Sequence, residues 1–383
     1  MLDIHHLATG RGDATVVVAP DGRIALIDAG AVARPDPAQV AAMPNASRAP
    51  GEWIARYIGR RLRETGGGGL HAAMVTHLHP DHIGGIAPDT PPEANGAYRL
   101  TGVSEIAARL PVGLLLDPDY PDYREDLFED RASAANYVAF ARARAARGGQ
   151  VERLRVGTTG QLLPDQVAGA ASFTARIVAS RGRVWTGRGS QSRELFASPA
   201  ASEPADRPNE NARSAAVLIT YGPFRYFAGG DLTDWADAGT RPRLNALTPA
   251  AEVAGSVDVA VLPHHGMFDA SAPATIRALR AKSWIISAWH AAHPSMETLE
   301  RVLNPRLAGL APQVFATALH PATVTVMERL TRRLAGVGGH VVCRVGIGGH
   351  GHRIVMTRAD DEMDEVVLAG PNRTARSAGS DGY

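Results

Sequence analysis

Thr76-His77-Leu78-His79-Pro80-Asp81-His82-Ile83-Gly84-Gly85 decides the reading of this chain. Three imidazoles and a carboxylate fall within this short run, directly after an apolar, strand-like segment from Ala72 to Thr76. Imidazole nitrogen and carboxylate oxygen suit Zn, Mn or Fe rather than Cu(I), and no thiolate is nearby to change that preference. His77 and His79 leave a strand end with one residue between them, so both rings can face the same way. Asp81 and His82 come from the turn that follows and approach the same space from another side, which suits two metals better than one.

The run resembles the HxHxDH signature of the metallo-β-lactamase superfamily. That resemblance implies an α/β fold, a four-layer αβ/βα sandwich whose dinuclear site lies at the mouth between two sheets. The opening, Ile4 to Thr15 followed by Val16-Val17-Val18, Asp21-Gly22 and Ile24 to Gly30, reads as two short strands around an Asp-Gly hairpin turn and is similar to the superfamily's first strands. Within it, Gly10-Arg11-Gly12-Asp13-Ala14 resembles the branch that contains the hydrolase domain of ComEC competence proteins and the choline-binding-protein phosphorylcholine esterases. In that branch such glycines let the backbone turn close to the site.

Two later blocks are similar to the same branch. Asn211 to Gly222 and Phe224 to Asp231 match its pattern of NxxS, strand, Gly, strand, Gly-Asp. The resemblance places Asn211 and Ser214 at substrate-binding positions and makes Asp231 the bridge between metals, since a carboxylate with two oxygens can span two cations. Val257 to Leu262 then forms a buried-strand pattern ending in Pro263-His264-His265-Gly266, similar to the PHHG of ComEC-like domains. One of the two histidines is the expected last ligand. Alignment on the glycine favours His265, alignment on the strand end favours His264, and both stay open at this point. No histidine occurs between His82 and His264. A third histidine for the first metal, which lactamases, glyoxalases of the second type and tRNA-processing nucleases supply from mid-chain, is therefore missing. Its absence favours the ComEC-like branch and leaves the first metal with His77, His79, Asp231 and open positions.

The resemblance implies a metal-dependent hydrolase with two divalent cations, zinc ahead of manganese or iron. Such a pair, roughly 3.5–4 Å apart, acidifies a water and holds the entering and leaving oxygens of an in-line displacement. The expected activity is that of a phosphodiesterase or nuclease using a metal-activated hydroxide, oriented by Asp81. His293, in His290-Ala291-Ala292-His293-Pro294, resembles the His-Pro that follows PHHG and is the expected leaving-group acid. A phosphorylcholine-esterase-like activity on small phosphodiesters and a non-catalytic metal-binding role are the alternatives. The expected partner is a phosphodiester substrate, nucleic acid among the candidates.

Composition bounds these expectations. A chain of 383 residues, 45% hydrophobic, with 40 glycines and 26 prolines, fits a loop-rich globular α/β protein. Cys343 is the only cysteine, which excludes an internal disulfide. No basic leader with an apolar core and no apolar run of membrane-spanning length is present, so the expectation is a cytoplasmic protein without membrane contact. A net charge of +1 does not mark a nucleic-acid binder. Arg142, Arg144, Arg147, Arg153 and Arg155 follow an Ala-rich helical stretch, Ala132 to Ala146, and read as a solvated basic face in preference to a phosphate grip. Arginine is this chain's general cation, Lys282 being its one lysine.

The expected hydrolase domain spans 1–357, with a helical and loop insertion at about 90–210. Inside the insertion, Pro111 to Leu116 reads as a buried strand, with Asp117 beyond it read as an ordinary turn in preference to a replacement ligand. Phe173 to Trp185 reads as a strand pair around Arg181-Gly182, and Gly187 to Pro208 as a flexible loop. Residues 358–383 read as a disordered tail. No interface stripe identifies an oligomeric state.

Overall fold

The computed structural model describes residues 1–33, 36–124, 128–168, 171–197, 207–235 and 239–375. Six strands begin the first sheet: β1 (Leu2–His6), β2 (Thr15–Val18), β3 (Ile24–Ile27), β4 (Leu70–Met74), β5 (Val112–Asp117) and β6 (Gln150–Arg153). The second sheet comprises β7 (Gln166–Ala168), β8 (Ala171–Ser180), β9 (Arg183–Trp185), β10 (Ser192–Glu194), β11 (Ala216–Tyr221), β12 (Phe224–Ala228), β13 (Val259–Val261), β14 (Ser283–Ile286), β15 (Gln313–Ala316) and β16 (Gly336–Val337). The chain then returns to the first sheet through β17 (His340–Val345), β18 (Gly351–Thr357), β19 (Val366–Ala369) and β20 (Arg373–Thr374).

Period-two alternation divides each strand between two environments. Ile4, Val17, Ala25 and Met74 of the first sheet meet Phe173, Val217, Tyr226, Ile285 and Phe315 of the second in a core between the sheets. Their strand neighbours Val16, Leu26 and Ala73 face outward against three helices, α1 (Pro50–Thr65), α3 (Gly102–Arg109) and α4 (Arg131–Ala146). Leu218, Phe227, Ala260 and Trp284 likewise pack against α5 (Leu247–Ala254), α6 (Pro273–Leu279) and α7 (Met296–Val302). The result is helix, sheet, sheet, helix: the four-layer αβ/βα sandwich that the resemblance implies. Large side chains such as Trp284, Tyr226 and Phe315 are fully buried, each contributing on the order of 1.5–3 kcal/mol.

Parallel pairing sets the position of the site. β3, β4, β5 and β6 run parallel, as do β12, β13, β14 and β15. Parallel neighbours need a crossover, here a helix, so the carboxyl ends of each set gather on one edge. Asp28 follows β3, the His77–His82 run follows β4, Asp231 follows β12 and His265 follows β13. The short helix α2 (Pro80–Ile83) carries Asp81 and His82, with Pro80 at its first position, where a missing N–H costs nothing.

Stretch 90–210 is built into both sheets, supplying α3, α4, β5 and β6 on one side and β7 to β10 on the other. Part of the expected loop at 187–208, residues 198–206, lies outside the described residues. The expectation of a disordered tail from Arg358 is corrected as far as Ala375: β19 and β20 both pair with β18. Glu362 and Asp364 anchor this return by ion pairs with Arg56, Arg60 and Arg61 of α1. Residues 376–383 lie outside the described residues. Among the described residues no helix is long and apolar enough to cross a membrane.

Two glycines allow the first loops to touch the metal-motif backbone. A Cβ on Gly30 would stand 2.0 Å from the Asp81 carbonyl oxygen, and one on Gly12 2.4 Å from the same atom. The latter agrees with the close backbone turn expected of the Gly10-Arg11-Gly12 piece. Gly30→Ala is therefore expected to displace Asp81, lowering stability by about 1–3 kcal/mol and weakening metal uptake, as thermal denaturation with and without zinc would show. An unchanged melting temperature would contradict the close packing.

Candidate metal centre

His77, His79 and Asp231 form one group of donor atoms, and Asp81, His82, Asp231 and His265 form a second, each group lying within 4.8 Å. Asp231 belongs to both. The approach distances are short: His82 Nε2 lies 3.2 Å from Asp231 Oδ1, and His265 Nε2 lies 3.0 Å from Asp81 Oδ2. His77 Nε2 lies 3.7 Å from Asp231 Oδ2 and 3.1 Å from His79 Nδ1.

Every ring is held through the nitrogen that faces away from this space. His82 Nδ1–H donates to Asp28 Oδ2 at 2.8 Å, and His265 Nδ1–H to the Ser287 carbonyl at 3.0 Å with Asp13 Oδ1 at 3.2 Å. His77 Nδ1 meets the hydroxyls of Thr76 and Ser214 at 3.1 and 3.3 Å. His79 reverses its ring, giving Nε2 to Glu129 at 3.0 Å and leaving Nδ1 for the centre. Each pinned outer nitrogen selects the tautomer whose inner nitrogen has a free lone pair, the arrangement that orients metal ligands. His82 Nε2 and Asp231 Oδ1 are buried without a hydrogen-bond partner although they stand close together. Buried polar atoms seldom remain unpaired, so this donor set fits a bound divalent cation.

The charges agree. Burial opposes ionisation of Asp231, but His82 and His265 override it and hold the carboxyl well below its usual range. Burial likewise opposes a charged His265, yet Asp231 and Asp13 raise it well above the ordinary imidazole value. Proton and carboxylate thus share a space in which a cation would replace the proton.

The two histidines left open by sequence part company here. His265 is 3% exposed and joins the donor group, whereas His264 turns Nδ1 to Asp269 at 2.8 Å and Nε2 to the Asn211 amide at 3.1 Å. Both occupy the left-handed region, with φ of 50° and 53°, which is how adjacent residues point apart at this turn. Asn211 therefore stands beside the centre. Ser214, expected at a substrate-binding position, is wholly buried and instead supports it, bonding His77 and accepting the Asp231 N–H at 3.1 Å. His293, expected as the leaving-group acid, stacks on His265 at 4.5 Å between ring centres. Burial and then His265 push it well below its ordinary value. Asp117 is no replacement ligand: it accepts the hydroxyls of Tyr123 and Tyr137 at 2.6 and 2.8 Å. The basic stretch is paired, with Arg147 on Glu93, Arg153 on Asp122 and Arg155 on Glu152.

Sequence reasoning missed Asp13, Asp28, Glu129 and Glu210 as parts of the centre. Asp28 had a signal, an acid closing an apolar strand ahead of Ala-Gly. Glu129 and Glu210 had none, because their partners are remote in sequence. Glu210 accepts the Leu78 N–H at 2.9 Å and the guanidinium of Arg181 at 2.8 Å, and its own N–H reaches Glu129. Arg213 adds a third contact at 3.2 Å.

No model of a known protein family matches the chain, and no curated protein sequence matches it. Solved structures give loose overlaps. A CmlA beta-hydroxylase mutant is 13% identical, with a TM-score of 0.38 over 90% of this chain and 54% of its own. Zn(2+)-bound PqqB from Methylobacterium extorquens is 11% identical, with a TM-score of 0.35 over 87% of each chain. A diphosphatase from the PhnP family is 12% identical, with a TM-score of 0.33 over 89% of this chain and 97% of its own. The chain spans about half the length of the first, and overlaps of this kind carry no argument about function.

Two outcomes are expected of this centre. The four-donor group should fill at lower zinc concentration than the three-donor group in competition titrations against a chromophoric chelator. Asp28→Asn should weaken the tighter step roughly 10–100-fold, because it releases His82; two equal steps, or an unaffected variant, would refute this ranking. The second outcome concerns Glu210, whose carboxyl burial would raise but Arg181 and Arg213 bring down to about 2 from an ordinary 4.5. A depressed folded-state value adds stability above the ordinary value, about 3 kcal/mol here, and loses it as pH falls from about 4.5 towards 2. Glu210→Gln should lower the melting temperature at pH 7 and flatten the acid limb of the stability curve.

Proposed function

We propose that the chain is a metal-dependent hydrolase of phosphodiesters, built on the ComEC-like pattern of motifs and using two divalent cations, zinc in the first place. The observation that carries this reading is the shared Asp231 between two donor groups whose rings are each held by the outer nitrogen. Bound there, the cations would supply Lewis acidity at a phosphoryl group and acidify water.

The chain's own residues provide the remainder. Asp81, its side chain 15% exposed, is the most open donor of its group, against 3% or less for His82, Asp231 and His265. It can therefore accept a hydrogen bond from an attacking water while the other three stay fixed. Asn211 gives one amide hydrogen to His264 and keeps a buried, unpaired Oδ1, so this pair offers polar groups to the substrate beside the centre. His293 stacks on His265 beside the centre.

A specific feature favours a small phosphodiester over nucleic acid. A cavity of about 360 Å³ is lined by Met267, Phe268, Pro294, Met296, Val326 and other residues without a single charge. Pro294 directly follows His293, and a Cβ on Gly266, next to His265, would stand 2.8 Å from its ring. A polyanion gains nothing from such a surface, whereas an apolar substituent does.

Purified protein, stripped of metal and resupplied with zinc or manganese, should hydrolyse bis-p-nitrophenyl phosphate. Asp81→Ala should reduce turnover at least about a hundredfold with the fold intact by circular dichroism, and Asn211→Ala should act chiefly on KM. Absence of turnover with both metals would remove the phosphodiesterase reading.

A further inference from the structure

A second pocket, of about 450 Å³, lies at the other end of the first sheet. β1 is antiparallel to β2 and β2 to β3, so β1 runs with β3 and its carboxyl end lies on the metal side. Leu2, at the opposite end, pairs with Val345, which puts the turn from Gly346 to His350 and the pocket around it away from the metal centre.

The pocket is lined by Arg344, Arg353, Arg373, His350, His352 and Asn372 among others, and no carboxylate takes part. Its register is unusual. Arg344 on β17 lies directly across from Arg353 on β18, and Arg373 on β20 directly across from His352. Like charges opposed across a ladder destabilise it. Asp3, on the far side of Arg344, compensates that guanidinium at 3.1 Å. Arg373 meets a neutral amide, Gln313, at 2.9 Å. The Arg353 side chain makes no hydrogen bond or ion pair among the described residues, while most arginines of the basic stretch at 142–155 find carboxylates. His352 is 2% exposed, and both its ring nitrogens are buried without a partner. Arg344 and Arg353 share the outer face of the sheet, whereas Arg373 and His352 share its inner face at the same end; the uncompensated Arg353 beside Arg344 calls for an anion.

We propose that this pocket binds a small phosphate-bearing molecule, with its phosphate at the Arg344–Arg353 pair. Phosphate is an anion that can meet the charge Arg353 leaves uncompensated beside Arg344, and guanidinium forks match its oxygens. This site is independent of the chemistry at the metal centre.

Inorganic phosphate is the probe, titrated into metal-loaded protein and followed by thermal denaturation against sodium chloride at equal ionic strength. Phosphate should raise the melting temperature beyond chloride. Arg353→Ala should weaken that response about tenfold or more, while Arg63→Ala, on another surface, and Asp81→Ala, at the metal centre, should keep it. Without phosphate, Arg353→Ala should be at least as stable as the parent, since it relieves the opposed charges. A response equal to that in chloride, one retained in Arg353→Ala, or one lost in Asp81→Ala would overturn the proposal, as would a destabilised Arg353→Ala protein.

Discussion

Asp231 and Asp81 are carboxylates taken into a cleft where water cannot solvate them, and the architecture around them answers that constraint. A buried charge is stable only with partners of opposite sign and filled hydrogen-bond sites. Three imidazoles converge on Asp231, and none of them is free to turn, because Asp28, Ser287 and the pair Thr76 and Ser214 hold their far nitrogens. Removing the centre's acids would leave those rings without a reason to face inward.

The sandwich supplies the positions. Parallel strands from both sheets end at one mouth, so groups separated by nearly two hundred residues meet without long excursions of chain. The loops between them are short and tied to one another through backbone bonds: Asp13 N–H to Asp81 O, Ala29 N–H to His82 O, and Ala215 N–H to Thr76 O, all between 2.8 and 3.1 Å. Glycine at 12 and 30 is what lets these backbones come so close.

A buried ion cluster reinforces the same region from behind. Glu210 joins the metal motif, through Leu78, to Arg181 on the β8–β9 turn and Arg213 before β11, and Asp119 after β5 pairs with Arg181 at 2.6 Å. The stretch that separates the motifs in sequence is thereby made part of the centre's support. Charge is also divided along the first sheet, acids and imidazoles at the carboxyl ends of its parallel strands and opposed arginines at the other end.

How much of this was legible in the sequence follows from the range of the interactions. His77, His79, Asp81, His82 and Asp231 could be read because ligand type and local spacing are properties of the chain itself. The same holds for the hairpin at Asp21-Gly22, for α4 and for the strand pair around Arg181-Gly182, whose periodicity and turn residues are local. The choice between His264 and His265 could not be read, since it depends on a left-handed turn that sends adjacent rings apart. Nor could the burial of Ser214, the stacking of His293 on His265 or the order of residues 358–375, which rests on pairing with β18 and on arginines of α1. Sequence alone determined which donor residues are present and how they are spaced, and through its resemblance to a known superfamily the layered fold; tertiary structure decided which group faces the centre, because that depends on contacts between segments far apart in the chain.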